Sequence, residues 1–263
     1  MMYKGYLLDL DGTIYKGKEP IEGAKEFIEQ LQERNIPYLF VTNNTTKTPR
    51  DVQTNLSQHF DIHVKEETIY TATLATADYL NSLNKGNRVY VIGESGLVDG
   101  LLSSGFIWDE EHPDFVVVGL DKKLNYQKLV TATLAIQNGA MFIGTNPDKN
   151  IPTEQGLLPG AGSIIASLIS STNQQPIIIG KPSSVIMQGA IERMGLEKSD
   201  VIMVGDNYET DIQAGIHNQI DTLLVLTGFT QKDDVSSLPI APTYTLNNLS
   251  EWGGWNAIND TKK

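Results

Sequence analysis

The sequence contains no cysteine among its 263 residues. This absence excludes disulfide bonds, zinc sites built on thiolates and cysteine nucleophiles, and it is typical of proteins that work in a reducing compartment. No apolar stretch approaches the roughly 18 residues of a membrane-spanning helix, and the apolar run near the N-terminus stops at Asp9, too early for a signal sequence. We therefore expect a cytoplasmic protein that does not associate with membranes.

Basic side chains are also in deficit, with 20 Lys and Arg against 32 Asp and Glu and a net charge of −12. An acidic surface repels nucleic acids and anionic membranes, and no cluster of Lys or Arg offsets it locally. We expect neither of them as a partner. A small phosphate ester can still bind to such an acidic protein, because a metal ion and a single lysine make the electrostatic potential positive at one site.

Short apolar runs alternate with helical patterns along the chain. Runs that are apolar on both faces are typical of parallel strands covered by helices. Helical spacing is clearest at 23–34 and at 184–194, where Pro182 and Gly195 mark a start and a stop. The five clearest strands are 6–8, 38–41, 177–179, 201–204 and 223–226. The alternation predicts an α/β fold with a Rossmann-like, doubly wound parallel sheet.

A long insertion separates the second and third of these strands. It has its own strand candidates and a helical pattern, at 89–92, 115–118, 141–143 and 126–138. Structureless loops of this length are rare, so the segment reads as a domain. We predict an inserted α/β cap at 80–175 within a core domain formed by 1–79 and 176–263.

Polar residues follow four of the five predicted strands. Open parallel sheets bind ligands at the carboxyl ends of their strands, so these residues are expected to meet there. They are Asp9 with Asp11, Thr42 with Asn43, Lys181, and Asp206.

Asp9 and Asp11 stand two positions apart on an extended chain, so both side chains point to one side. Gly12 then lets the backbone turn and present amides to an anion. Adjacent carboxylates repel and need a shared proton or a divalent cation. Oxygen ligands without Cys or clustered His favour magnesium over zinc. Alone, the Asp11–Gly12 pair is better explained as a turn; the buried strand before it and the matching residues downstream favour the site.

Two acidic residues follow the strand at 201–204. Asp206 is positioned to complete an oxygen shell for the metal. Asp211, five positions later, either caps the helix that contains Ile212 or supports the metal ligands from behind. We expect it to do both.

Lys181 and Thr42 are candidates for binding a phosphoryl group. A compact ammonium suits a phosphoryl oxygen, and the Thr42 hydroxyl can donate to another, with amides added by Asn43 and Asn44. Considered in isolation, Lys181 is better explained as a solvated lysine before a helix. Thr42 alone is better explained as part of a polar loop.

Together, and in this order, these segments resemble the haloacid dehalogenase superfamily of phosphohydrolases. The insertion, with the segments 144–148 and 156–162, resembles the NagD-type branch, which has a large α/β cap. The motifs that carry the resemblance are Asp9-Leu10-Asp11-Gly12-Thr13, Thr42-Asn43-Asn44, Gly180-Lys181-Pro182, and the segment from Gly205-Asp206 to Asp211.

The resemblance implies a role for each matching position. Asp9 is implied as nucleophile and Mg²⁺ ligand, and Asp11 as general acid/base that offers its backbone carbonyl to the metal. Asp206 is implied as the third metal contact, while Thr42 and Lys181 hold the phosphate. The implied activity is Mg²⁺-dependent hydrolysis of small phosphomonoesters through an aspartyl-phosphate. Sugar phosphates, nucleoside monophosphates and, artificially, p-nitrophenyl phosphate are the expected substrates, and caps of this type imply a homodimer.

Leaving-group selection is expected in the cap, where the segment 145–162 offers Asn146, Asp148 and Glu154 as polar contacts. Vitamin B6 phosphatases of this branch have a histidine in that loop. The corresponding stretch 148–152 has none, which argues against pyridoxal phosphate as substrate. Three other functions stay open: a phosphotransferase or mutase on the same scaffold, a non-catalytic phospho-acceptor module, and an interaction protein.

Overall fold

The structure, a computed structural model, describes residues 3–153 and 155–255. Its strands, in chain order, are β1 (Gly5–Leu8), β2 (Tyr15–Lys16), β3 (Glu19–Pro20), β4 (Tyr38–Thr42), β5 (Ile69–Thr71), β6 (Arg88–Ile92), β7 (Ile107–Trp108), β8 (Phe115–Val118), β9 (Met141–Gly144), β10 (Asn150–Thr153), β11 (Gly156–Pro159), β12 (Ile177–Ile178), β13 (Val201–Gly205), β14 (Asp221–Val225) and β15 (Tyr244–Leu246). Its helices are α1 (Ala24–Glu33), α2 (Pro49–Phe60), α3 (Ala72–Leu83), α4 (Ser95–Ser103), α5 (Tyr126–Gln137), α6 (Ala161–Thr172), α7 (Ser184–Met194) and α8 (Gln213–Asn218).

A six-stranded sheet has the order β15-β14-β13-β1-β4-β5. The pairings of β1 with β13 and β4, and of β14 with β13 and β15, are parallel. Alternate residues of β14 face opposite sides: Leu223 belongs to the main core with α1 and α2, and Leu224 packs with Tyr208 and Ile212. Both faces of this sheet are therefore covered, which confirms the doubly wound prediction.

A five-stranded sheet has the order β12-β9-β8-β6-β7, and all four of its pairings are parallel. Residues of α5 and α6 cover it, with Ile136 and Leu168 fully buried against Val116 and Val118. The side chain of Asn125 caps α5 by accepting the Lys128 amide hydrogen at 3.0 Å. A hairpin of β10 and β11 lies in the same part of the chain. The predicted α/β insertion is confirmed as a fold.

The chain divides into two compact units. Over the described residues the first unit comprises 3–42, 52–70 and 190–255, and the second comprises 43–51 and 71–189 with the gap at 154. These limits lie some residues away from the sequence-based limits of 80 and 175. The assignment of the segments as core and cap domains stays a prediction.

The strand predicted at 177–179 exists, but its predicted place in the sheet of Asp9 is wrong. Residues Ile177 and Ile178 form β12 and pair with Ile143 and Gly144 of β9, in the five-stranded sheet. A short apolar run predicts a strand without naming its partner, which depends on contacts far along the chain. Lys181 therefore follows a strand of the second sheet.

Aromatic side chains close the core of the first unit near the C-terminal end of the described chain. The Trp252 Nε1–H donates to the Tyr6 hydroxyl at 3.2 Å, and the two rings meet edge to face at 6.4 Å. Trp255 packs against the same core and lies 5.0 Å from the ring of Phe27. No helix within the described residues is long and apolar enough to cross a bilayer.

Candidate active site

Three of the predicted site residues stand at the carboxyl edge of the six-stranded sheet. Asp9 directly follows β1, Thr42 ends β4, and Asp206 directly follows β13. Leu8 pairs with Val204 across the β1–β13 ladder, and the Asp9 amide donates to the Val204 carbonyl at 2.9 Å. Because these strands are parallel, their ends meet on one side, as the sequence predicted.

Carboxylates of Asp9, Asp206 and Asp211 form one group, in which each contributes an oxygen within 4.8 Å of the others. Asp9 is half-buried, while Asp206 and Asp211 are only 3% and 1% exposed. Three such charges repel strongly when little water screens them, so the group needs a proton or a cation. Carboxylate oxygens alone suit a hard divalent ion, and this donor set fits Mg²⁺.

The Asp206 carboxylate is fixed by two donors. Thr13 Oγ1 donates to Oδ1 at 3.1 Å, and the Phe229 amide donates to Oδ2 at 2.6 Å. Gly12 and Gly228 lie so close that a Cβ on either would collide with this carboxylate, and Gly12 adopts φ +96°. The two glycines therefore let the backbone close around Asp206.

Asp211 lies inside a π-helical turn, Tyr208–Ile212, and does not cap a helix. The cap is Asn207, whose Oδ1 accepts the Glu209 amide hydrogen at 3.0 Å. Asp211 instead accepts the Asn207 amide hydrogen at 3.1 Å and the Thr210 hydroxyl at 3.3 Å. The capping prediction is thus wrong, because the side-chain cap of this turn is Asn207 and α8 continues directly from the turn at Ile212 without a side-chain cap. Single π turns occur often at functional sites.

Asp11 is exposed and lies in a tight turn. The Gly12 amide donates to the Tyr15 carbonyl at 2.7 Å, and Thr227 Oγ1 donates to the Gly12 carbonyl at 2.6 Å. The Asp11 side chain is not one of the three grouped carboxylates. Its roles as acid/base and as carbonyl ligand stay predictions.

Tyr15 lies beside this turn, and its ring stacks on Phe60 at 4.8 Å. Burial, and then the nearby charges of Asp11 and Asp9, raise the pKa of Tyr15. The phenol therefore stays neutral, and ionised oxygen near the site comes from the carboxylates.

Lys181, Asn43 and Asn44 belong to the second unit. Lys181 is 1% exposed, so the alternative of a solvated surface lysine is wrong. A buried ammonium is costly unless it is paired, which makes this position unusual for a lysine.

Asn44 is exposed, and its Oδ1 accepts the amide and hydroxyl hydrogens of Thr46 at 2.7 and 2.9 Å. Asn44 therefore shapes its own turn.

Asn43 joins three segments of the second unit. Its Nδ2 donates to the Lys181 carbonyl at 3.0 Å and lies 3.3 and 3.4 Å from the two carboxylate oxygens of Asp148. Its carbonyl accepts Nδ2–H of Asn146 at 2.9 Å. The side-chain oxygen of Asn43 is buried without a hydrogen-bond partner among the described residues. The Asn43 side chain thus positions the backbone at Lys181.

The predicted leaving-group loop contains the β10–β11 hairpin, with Leu157 66% exposed. Backbone bonds fix its base: the Gly160 amide donates to the Lys149 carbonyl at 2.8 Å, and the Gly162 amide donates to the Asp148 carbonyl at 2.9 Å. Glu154, one of the predicted polar contacts, lies outside the described residues. Selection of the leaving group by this loop stays a prediction.

Sequence reasoning missed the loop 227–230 and the role of Thr13. Both act on Asp206, through the Thr13 hydroxyl and the Phe229 amide. A signal was present, because Thr227 and Gly228 come shortly after the predicted strand at 223–226. The end of that strand also belongs to the carboxyl edge of the sheet.

Known proteins match the chain along nearly its whole length. A family model described as haloacid dehalogenase-like hydrolase matches residues 6–107, and one described as HAD-hydrolase-like matches residues 178–252. The 5′-nucleotidase YutF of Bacillus subtilis is 49% identical over 250 residues, covering 95% of this chain and 97% of its own. An acid sugar phosphatase of Staphylococcus aureus is also 49% identical over 250 residues, covering 95% and 96%.

The structure of NagD from E. coli K-12 superposes with a TM-score of 0.91 at 31% identity, covering 97% of this chain and 100% of that one. Relatives of this identity and coverage share both the fold and the class of reaction. The chain belongs to the haloacid dehalogenase-like hydrolases, as a NagD-like phosphoric monoester hydrolase.

Proposed function

We propose that this enzyme hydrolyses small phosphomonoesters with the help of Mg²⁺ and through a phosphorylated Asp9. The observation that carries the proposal is the group of Asp9, Asp206 and Asp211 carboxylates at the carboxyl edge of the sheet. Relatives named 5′-nucleotidase and acid sugar phosphatase support nucleoside monophosphates and sugar phosphates as the substrate classes.

Asp9 and Asp206 would hold Mg²⁺ together with the Asp11 carbonyl. Asp211 would support them, because the Asn207 amide and the Thr210 hydroxyl already donate to its two oxygens. When bound, Mg²⁺ neutralises the charge that otherwise keeps a phosphate dianion away from carboxylates.

Asp9 would act as the nucleophile. Its carboxylate oxygen forms a bond to phosphorus while the bond from phosphorus to the ester oxygen breaks, and Asp11 protonates the departing oxygen. Water then attacks the phosphorus and gives its proton to Asp11, which releases inorganic phosphate and restores both carboxyl groups. The exposed position of Asp11, outside the three-carboxylate group, suits a residue that exchanges protons.

Replacing Asp11 with Asn should affect poor leaving groups most. An alkoxide needs a proton as it departs, and a nitrophenolate does not, so kcat/KM on glycerol phosphate should fall about 10²- to 10⁴-fold and on p-nitrophenyl phosphate much less. Steady-state kinetics on both esters measures the difference. Equal losses would contradict the acid role, and Asp233→Asn, an exposed carboxylate of the same unit, is the control.

We propose that four residues hold the phosphoryl group: Lys181, Thr42, Asn43 and Asn44. Lys181 supplies the positive charge. Lys181→Met removes the ammonium and keeps an unbranched apolar side chain that is one atom shorter at this buried position. We expect inorganic phosphate to inhibit the variant about 10- to 100-fold more weakly, the usual size of one charged hydrogen bond. Lys122→Met, an exposed lysine of the same unit, is the control, and an unchanged inhibition constant for Lys181→Met would refute the role.

A substrate panel tests the proposed function as a whole. Nucleoside monophosphates, sugar phosphates, glycerol phosphate and p-nitrophenyl phosphate are incubated with enzyme in Mg²⁺ or in EDTA. We expect free phosphate and dephosphorylated product in equal amounts, and only with Mg²⁺. Phosphate found on a second acceptor would indicate a phosphotransferase or mutase instead, and a lasting phosphoprotein without release would indicate an acceptor module.

A further inference from the structure

Phe229 has a large apolar side chain that the core of the first unit does not use. Its side chain is 68% exposed, and Ile240, at 53%, is the other large apolar residue exposed in the described part of that unit. A single exposed apolar side chain is ordinary and by itself indicates no function. The position of Phe229 beside the carboxylates is what sets it apart.

The backbone that carries Phe229 is fixed to both catalytic segments. Thr227 Oγ1 donates to the Gly12 carbonyl at 2.6 Å, next to Asp11. The Phe229 amide donates to Asp206 Oδ2 at 2.6 Å, and the Thr230 amide donates to the Asp206 carbonyl at 3.0 Å. The exposed ring therefore extends from a loop whose backbone is anchored beside Asp206.

Covalent geometry limits how far the ring can be from the chemistry. With its amide nitrogen 2.6 Å from Asp206 Oδ2, the centre of the Phe229 ring lies within about 8 Å of that oxygen in any rotamer. The leaving group starts at the ester oxygen, which is bonded to the phosphorus. It extends over a distance similar to the one between the ring and Asp206 Oδ2. The carboxylates, the Thr13 hydroxyl and the backbone amides here are polar, whereas the exposed Phe229 ring is apolar.

We propose that the Phe229 ring contacts the leaving group and favours one with a flat ring, the base of a nucleoside monophosphate. The inference rests on the proposed phosphatase function and extends it to a substrate class. Stacking of a base on an aromatic side chain tolerates every base, because each has a flat π-face. The ring should therefore raise kcat/KM for purine and pyrimidine nucleotides to a similar extent.

Phe229→Ala tests the ring separately from the backbone, because the amide that holds Asp206 remains. We expect kcat/KM on AMP, UMP and p-nitrophenyl phosphate to fall about fivefold to tenfold, the low end for one stacking contact. On glycerol phosphate and glucose 6-phosphate it should stay within about twofold. Phe229→Trp should retain activity on all of them, Phe229→Leu should be intermediate on the flat substrates, and Ile240→Ala should change none.

Equal losses on AMP and glycerol phosphate, or no loss on AMP, would overturn the inference. A loss on glucose 6-phosphate as large as on AMP would also overturn it, since the ring would then not select flat groups. Calorimetry of AMP binding to Asp9→Asn, with and without Phe229→Ala, gives a readout without turnover, and about fivefold to tenfold weaker binding is expected. Failure of the proposed function would appear differently, as no phosphate release by the unaltered enzyme.

Discussion

Asp9→Asn should abolish turnover while leaving the fold intact, with kcat falling by at least about 10⁴-fold, as for other catalytic nucleophiles. The amide has nearly the shape of the carboxylate but no charged oxygen to form the bond to phosphorus. The hydrogen bond from the Asp9 backbone amide to the Val204 carbonyl does not involve the side chain, so it survives the change. Removing one of three close negative charges also relieves repulsion, so we expect no loss of stability without metal.

Acid quenching during turnover provides the direct measurement. Intact-mass spectrometry should detect a phosphorylated chain in the unaltered enzyme and none in Asp9→Asn. Asp233→Asn should behave as the unaltered enzyme in mass, circular dichroism and activity. Substantial Mg²⁺-dependent activity in Asp9→Asn would overturn the nucleophile assignment.

Asp206→Asn should remove both Mg²⁺-dependent activity and Mg²⁺-dependent stabilisation. An ion that binds only the native state stabilises it by about 2.7 kcal/mol at 100 times its dissociation constant. The unaltered enzyme should therefore unfold at a higher temperature in Mg²⁺ than in EDTA, and the variant at the same temperature in both. Its kcat/KM should fall about 10³-fold, in line with the several kcal/mol that a metal contributes to such transition states.

The comparison in EDTA separates metal binding from structural damage. In Asp206→Asn the side-chain oxygen can still accept from either Thr13 or Phe229, and one charge of the repelling group is gone. We expect only a small change in the metal-free unfolding temperature. If Mg²⁺ stabilised Asp206→Asn as much as the unaltered enzyme, Asp206 would not be a metal ligand.

The sequence was sufficient where the position of a predicted site residue follows from a strand end. Asp9, Thr42 and Asp206 each come at the end of a buried apolar run, and parallel strands bring such ends to one edge. Local pattern and one topological rule are enough for that inference. The helices at 24–33 and 184–194 could also be predicted, from the spacing of their apolar residues and from residues typical of helix ends.

The remaining features depend on contacts between distant parts of the chain. Thr13 and Asp206 are 193 positions apart, and nothing local in either segment predicts their bond. The partner of β12 is another example, because an apolar pair such as Ile177 and Ile178 fits either sheet. The cap predicted at Asp211 is a third example, because the capping residue is Asn207. Asn and Asp are both strong caps, and spacing alone does not choose between them.

The order in which the strands are synthesised bears on how this enzyme reaches its native state. β1 lies in the middle of its sheet beside β13, where Gly5 pairs with Val201, and the Tyr6 hydroxyl accepts a hydrogen bond from Trp252 Nε1–H. The ribosome therefore releases β1 long before that neighbour exists. Every strand of the five-stranded sheet emerges in between, so the second unit can mature while β1 still exposes one unpaired edge. During this interval the unpaired edge of β1 is available to pair with a strand of another chain, which is a known route to aggregation.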